Sequence, residues 1–288
     1  MKFWKMSGAG NDFVLIEDKS FSYKYLSGLA VKLCRRRISI GADGLLAVSR
    51  LDNGNVRMRY FNSDGTEAFC GNGSRCSLLW AYAKGLCGRK VSLEALPGIL
   101  NAEIISDKEV KMAMPDVKSP EMLNLNLLSG IKKDIIFMDT GVPHCVVILP
   151  EWQLDSFDIA AEGRALRYNK IFSQGANVDF ISISKPDDSV ALVKVRTYER
   201  GVEAETLACG TGITASAIAA ALSAKLPSPV SLRSLSGENF KVWFEISNGP
   251  EYEARLEKDS RKKSLFPDAK NIFIQGPAEI TFTGEINV

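Results

Sequence analysis

Two cysteines sit in matching surroundings. Cys70-Gly-Asn-Gly and Cys209-Gly-Thr-Gly each lead into a proline-free run of small and apolar residues, so each thiol is expected at the start of a helix. A helix start exposes unpaired backbone N–H groups and the positive end of the macrodipole, which attract carboxylates and lower the pKa of a nearby thiol. Two such starts facing one another are expected to grip an anion between two activated cysteines.

That arrangement suits inversion of a stereocentre. With a carboxylate held by the amides after Cys70 and Cys209, the adjacent carbon lies between two sulfurs. One thiolate removes its proton and the other thiol delivers a proton from behind. The α-hydrogen of an amino acid is weakly acidic, and the two helix starts stabilise the charge that moves onto the carboxylate in the transition state. The cysteines must differ in protonation, and as a coupled pair they do, because ionising one makes ionising the other harder. The residues alone leave two other classes open, a thiol redox or sensor protein and a non-catalytic amino-acid-binding protein. The wide cysteine separation, the lack of a CxxC pair and the glycines suited to anion binding weigh against the redox reading.

The rest of the composition removes rival chemistries. His144 is the single histidine among 288 residues, so a multi-histidine zinc site is excluded, and no metal is expected. No G-x-S-x-G elbow is present for a serine triad. Cys34, Cys76, Cys87 and Cys145 read as small buried hydrophobes with reduced thiols. A net charge of +2 gives no reason to expect nucleic acid. The N-terminus places polar residues and glycines where a secretory peptide needs an unbroken apolar core. No run approaches the roughly 18 apolar residues of a membrane span. The expectation is a cytoplasmic protein acting on a small molecule, with no membrane partner; a homodimer is allowed by the sequence and not read from it.

The elements that must position the cysteines follow from periodicity. Residues 2–6, 13–17 and 55–61 read as strands, 25–36 as an amphipathic helix closed by a solvated Arg35-Arg36-Arg37, and 72–84 as the first central helix, with Cys76, Leu79, Trp80 and Ala83 on one face. Strands are expected at 90–95, 99–105 and 109–114, then a crossover at 115–130. Further strands are expected at 135–139, 145–149, 179–184, 190–198, 229–235, 239–247 and 251–256, and a short helix at 159–167. The second central helix, 211–225, is small and apolar nearly all round and should be wrapped by other elements. Residues 257–270 read as an exposed charged loop.

Internal echoes suggest a duplication. Val56–Tyr60 resembles Val193–Tyr198, the cysteine motifs repeat in register to within one residue, and Gly8–Phe13 echoes Gly175–Phe180. The expected fold is α/β (α+β), with two pseudo-symmetric domains, each a strand-rich shell or barrel around a central helix. The domains are 1–118 plus 273–288, carrying Cys70, and 119–272, carrying Cys209.

At these residues the chain resembles the diaminopimelate epimerase family. The likeness is carried by SGAGNDFV near the start, GADG at 41–44, Asn62 through CGNGSRC, PHC at 143–145, GANVDF at 175–180, YERG at 198–201, ETLACGTG at 205–212 and GPAEITFTGEI near the end. It implies a cofactor-independent enzyme converting LL- to meso-diaminopimelate for lysine and cell-wall synthesis, with Cys70 and Cys209 as the catalytic pair. Gly71, Asn72, Gly210 and Thr211 then match carboxylate-binding helix starts. Asn11, Asn62, Asn177, Glu199 and Arg200 match positions that hold the substrate's ammonium and carboxylate groups, and His144 and Glu199 match groups that tune the cysteines. The terminal strand is expected to return to the first domain. The chain departs from the family pattern at Val142, where an asparagine is common, at Gly44, and in one extra residue within 202–204. Val142 motivates an alternative, a related two-cysteine racemase of relaxed specificity acting on an amino acid such as glutamate.

Overall fold

The computed structural model describes residues 1–96, 98–128, 130, 132–185, 190–248 and 265–288. The chain divides into two units, Met1–Ala113 with Gln275–Val288, and Met114–Ile274.

In the first unit, β1 (Lys2–Gly8) and β2 (Asn11–Glu17) form a hairpin with Gly8 opposite Asn11. Its two turn residues, Ala9 and Gly10, both have positive φ, at 59° and 96°, the twist that a two-residue hairpin demands. Helix α1 (Tyr23–Leu33), capped by Ser22, crosses over to β3 (Gly44–Arg50), which runs parallel to β2. Strand β4 (Val56–Asn62) returns antiparallel and meets the short β5 (Glu67–Ala68). Helix α2 (Gly71–Ala83) follows, then β6 (Lys90–Ala95) parallel to β4, β7 (Gly98–Ile104) and β8 (Glu109–Ala113).

The second unit repeats this order. After β9 (Glu121–Asn126) come the antiparallel β10 (Lys132–Asp139) and β11 (Pro143–Ile148). Helices α3 (Glu151–Leu154) and α4 (Ile159–Arg167) cross over to β12 (Asn177–Ser184), parallel to β11. Strand β13 (Leu192–Glu199) returns antiparallel to meet β14 (Ala204–Thr206). Helix α5 (Gly210–Ala224), β15 (Val230–Arg233) parallel to β13, and β16 (Asn239–Ser247) complete the repeat. Strand β17 (Asp268–Pro277) carries the chain back, and β18 (Glu279–Glu285) pairs with β1.

Each unit is a shell of strands around one helix. Helix α2 packs against β1, β2, β3, β4, β6, β7, β8 and β18, and α5 against β10, β11, β12, β13, β15 and β16. Every residue of α5 from Gly212 to Ala221 is buried, as its all-round apolar sequence requires. In α2, Cys76, Leu79 and Trp80 are buried as their spacing predicts, whereas Ala83 lies at the exposed last turn. Each large apolar side chain buried in these shells contributes about 1.5–3 kcal/mol.

The duplication extends to a polar clamp on the strand pair that leads to each cysteine. Arg59 Nε is 3.2 Å from Glu67 Oε1 between β4 and β5, and Arg196 Nε is 2.6 Å from Glu205 Oε1 between β13 and β14. Each arginine also donates to a backbone carbonyl ahead of a crossover helix, Phe21 O at 3.0 Å and Leu154 O at 2.8 Å.

Four expectations are corrected. The Gly8–Phe13 echo joins strands that are not counterparts: Gly175 precedes β12, whose equivalent is β3, so its true partner is Gly41, and both glycines have positive φ. The crossover at 115–130 contains strand β9, because Met122 to Asn126 pair with β10. Arg35, Arg36 and Arg37 are exposed as expected, but Arg36 is more than a solvated helix-end cation, its guanidinium bonding Asp12 at 2.6 Å and Asp43 at 2.7 Å. Asp268 is buried at the start of β17, accepting the Ser119 amide at 2.9 Å, where an exposed loop was expected. The expected strand at 251–256 and the segment 257–264 lie outside the described residues.

Candidate active site

The first half-site is built on the start of α2. Cys70 is its N-cap, with extended backbone at φ −140° and ψ 113°, and its sulfur accepts the Gly73 amide at 3.4 Å. A cysteine here takes the place of the oxygen-bearing residues that usually cap helices, and the first-turn amides, beginning at Gly71, point past it. Asn72 is buried one step along.

Asn72 joins the hairpin to the helix. Its Nδ2 donates to Asn11 Oδ1 at 2.6 Å, and Asn11 Nδ2 donates to Asp43 Oδ2 at 3.0 Å. Arg75 Nη2, wholly buried, donates to Asn72 Oδ1 at 2.7 Å. At the far end, Asp12 is held by Arg36 and Lys5, and although burial opposes it, their hydrogen bonds and charges keep its carboxyl below the usual range. Asn62 stands apart from this chain. Its backbone pairs with Gly44 and its amide donates to Thr66 Oγ1 at 3.0 Å within the turn before β5.

The second half-site is built on the start of α5. Cys209 is again the N-cap, at φ −119° and ψ 115°, but it is buried, and its Sγ lies 3.3 Å from Thr211 Oγ1. Burial, then the negative charges of Glu199 and Asp179, push the Cys209 thiol well above its ordinary pKa, against smaller opposing effects of Thr211 and the Gly212 amide. The expectation that a helix start lowers the thiol pKa is therefore reversed at Cys209, because desolvation outweighs the terminal amides.

Below Cys209 lies a buried polar column. His144 Nε2 is 2.9 Å from Thr211 Oγ1, and His144 Nδ1 is 2.7 Å from Asp179 Oδ2. Thr197 Oγ1 donates to Asp179 Oδ1 at 2.7 Å. Asn177, beside His144 in the β11–β12 register, sends Nδ2 toward Pro143 O and His144 Nε2, each at 3.3 Å. Its Oδ1 accepts the Arg200 amide at 2.7 Å, while Arg200 Nη1 donates to Gln174 O at 3.0 Å.

In unit 1 the structure brings Asn11 and Asn72 together, with Cys70 two residues from Asn72 at the helix start. In unit 2, His144, Asn177, Thr211 and Cys209 form one cluster, with Glu199 acting on Cys209 and Arg200 beside Asn177. Sequence reasoning missed Asp43, Arg75, Asp179 and Thr197. Asp179 had one available signal, an acidic residue inside an apolar strand. The remaining cysteines are not alike. Burial pushes Cys34 and Cys76 up to about 12 and Cys145 higher still, and raises half-buried Cys87. Among the described residues no group of three or more His, Cys, Asp and Glu side chains could hold a metal ion, and no helix is long and apolar enough to cross a membrane.

Residues 3–119 and 136–249 match the family model described as diaminopimelate epimerase. The chain is similar to the diaminopimelate epimerase of Aquifex aeolicus, 36% identical over all of this chain and 98% of that one. It is 34% identical to that of Flavobacterium psychrophilum, over 98% of each. Among solved structures, a Bacillus anthracis phenazine biosynthesis protein of the PhzF family aligns with a TM-score of 0.70 at 16% identity, over 100% and 99% of the two chains. A hydroxyproline epimerase from Agrobacterium vitis aligns at 0.65 and 14% identity, over 99% of this chain and 90% of that one. At those identities the likeness is one of fold.

Proposed function

The chain belongs to the diaminopimelate epimerase family and is an isomerase, and from that premise we propose that it interconverts LL- and meso-diaminopimelate, with Cys70 and Cys209 as its two proton-transferring groups. The reaction serves lysine and peptidoglycan synthesis in the cytoplasm and needs no cofactor. The observation that carries the reading is the repeated device: in each unit a cysteine caps a helix buried within its own shell, behind an Arg–Glu clamp.

The chemistry requires a base, an acid and a sink for charge. One cysteine as thiolate takes the α-proton, and the other as thiol gives a proton to the opposite face of the carbanion. The raised pKa of Cys209 supports assigning it the thiol form in the resting protein, which makes Cys70 the first base. The amides that open α2 and α5, at Gly71, Asn72, Gly210 and Thr211, supply the sink by stabilising the carboxylate as charge moves onto it. Asn11, Asn62, Asn177 and Glu199 bind the substrate's polar groups, and the Arg200 guanidinium suits the distal carboxylate.

The test is chiral chromatography of the reaction of reduced wild-type protein with LL-diaminopimelate. Accumulation of meso product is expected, and its absence with folded, reduced protein would overturn the reading. A second reading, relaxed specificity toward glutamate, rests on half-buried Val142, two residues before His144. A parallel incubation with L-glutamate checks it: appearance of D-glutamate supports relaxed specificity, and none at high enzyme concentration removes it.

A further inference from the structure

Asp179 is fully buried, ionisable and given no part in the chemistry above. We propose that it is a positioning residue, holding His144 in the tautomer with its proton on Nδ1 so that Nε2 can take the Cys209 proton through the Thr211 hydroxyl and ready Cys209 as the base of the reverse, meso-to-LL direction. This rests on the assignment of Cys209 as a proton-transferring group.

The direction of the column follows from its end. An ionised carboxylate only accepts hydrogen bonds. Asp179 Oδ1 accepts the Thr197 hydroxyl at 2.7 Å, so Oδ2, 2.7 Å from His144 Nδ1, accepts the ring N–H. A neutral imidazole with Nδ1 protonated offers a lone pair at Nε2, and the hydroxyl of Thr211, 2.9 Å away, donates to it. The Thr211 oxygen then turns a lone pair to Cys209 Sγ at 3.3 Å, which makes the thiol the donor. Asn177 Nδ2, at 3.3 Å from Nε2, is a second donor and fits the same polarity.

Proton bookkeeping closes along this column. Thr211 passes its hydroxyl proton to His144 Nε2 and receives the Cys209 proton, leaving a thiolate and an imidazolium. The imidazolium N–H groups point at Asp179 and Thr211, and the buried carboxylate stabilises the new positive charge. Reversal restores the thiol.

Space has been kept for the carboxylate. Gly212 lies directly over Asp179, and a Cβ there would overlap Oδ1. The first unit differs here: a Cβ on Gly73, the matching glycine of its motif, would meet Leu46 Cδ2 instead, and Leu45, which the Gly41–Gly175 correspondence pairs with Asp179, is a buried apolar residue. The column therefore belongs to Cys209.

Because the chain has one histidine, nitrogen NMR of histidine-labelled protein reports His144 alone. In wild type the neutral ring should carry its proton on Nδ1. Asp179→Asn, which removes the charge in either amide orientation, should lower kcat by at least about 10²-fold with KM nearly unchanged. Thr211→Val leaves Asp179 and the ring in place; it should keep the Nδ1 proton yet lower kcat by at least about 10-fold. A wild-type ring protonated on Nε2 at every pH overturns the proposal, as does a Thr211→Val enzyme within twofold of wild type. The tautomer is read without substrate, so a wild-type ring with the expected Nδ1 proton in a protein inactive on diaminopimelate would leave the positioning intact and reject the substrate.

Discussion

Arg75 donates from Nη2 to Asn72 Oδ1 at 2.7 Å, and this bond decides which way the Asn72 amide points. With its oxygen committed to Arg75, Asn72 presents Nδ2 to Asn11 Oδ1, and Asn11 in turn must present Nδ2 to Asp43. Two asparagines proposed to bind substrate thus have their donors and acceptors set by a cation below them. Desolvation lowers the Arg75 pKa, as expected for a guanidinium wholly buried in its helix.

Replacing Arg75 by leucine should therefore cost both stability and binding. It removes the donors to Asn72 Oδ1 and to Pro277 O, 3.1 Å from Nε, and each buried acceptor left unmet costs about 1–3 kcal/mol. Urea denaturation should show a midpoint shifted down by about 3 kcal/mol in stability, and surviving protein should show KM raised several-fold, because Asn72 can flip. Unchanged stability and KM would show that the amides are oriented by other means.

The glycines of the two motifs should differ in tolerance. A methyl added at Gly71 would have no neighbouring atom within 4 Å, and alanine there should change stability by less than about 0.5 kcal/mol. Gly212→Ala drives a methyl into Asp179, with an overpacking cost of about 1–3 kcal/mol and a fall in kcat as the histidine column is displaced. Thermal denaturation and steady-state kinetics on both variants check the contrast.

Cys209 should alkylate slowly at neutral pH and accelerate in alkali. Iodoacetamide reacts with the thiolate, and burial together with Glu199 and Asp179 keeps that form scarce until the pH rises beyond the ordinary thiol range. Glu199→Gln removes one negative charge, lowers the thiol pKa and should shift the rate profile to lower pH. Mass spectrometry of the Cys209 peptide over a pH series reads both profiles; a shift to higher pH would contradict the sign of the Glu199 effect.

Much of this architecture was legible because its signals are local. Small-residue helices after each Cys-Gly pair, hairpin turns and alternating strands identify the elements, and the motifs identify Cys70, Cys209, Asn72 and Thr211. What escaped depends on tertiary placement. Asp179 and Thr197 face one another across the β12–β13 ladder, a register that neither segment encodes alone. Arg36 reads as a helix-end cation until the fold brings Asp12 and Asp43 to it. Strand β9 is hidden by its proline- and serine-bearing flanks, and the Gly8–Phe13 echo misled because similar turns open non-equivalent strands. The upward shift at Cys209 comes from burial, which the sequence pattern around a helix start does not report.

The central claim is that two cysteines move protons at one carbon. It is tested most directly by following LL-diaminopimelate in deuterated water by NMR, under reducing conditions, with wild type, Cys70→Ser and Cys209→Ser. The account predicts solvent deuterium at the α-carbon as meso product forms, and loss of epimerisation in both variants. Full epimerisation by either variant, or formation of meso product by wild type without incorporation of solvent deuterium, would contradict it.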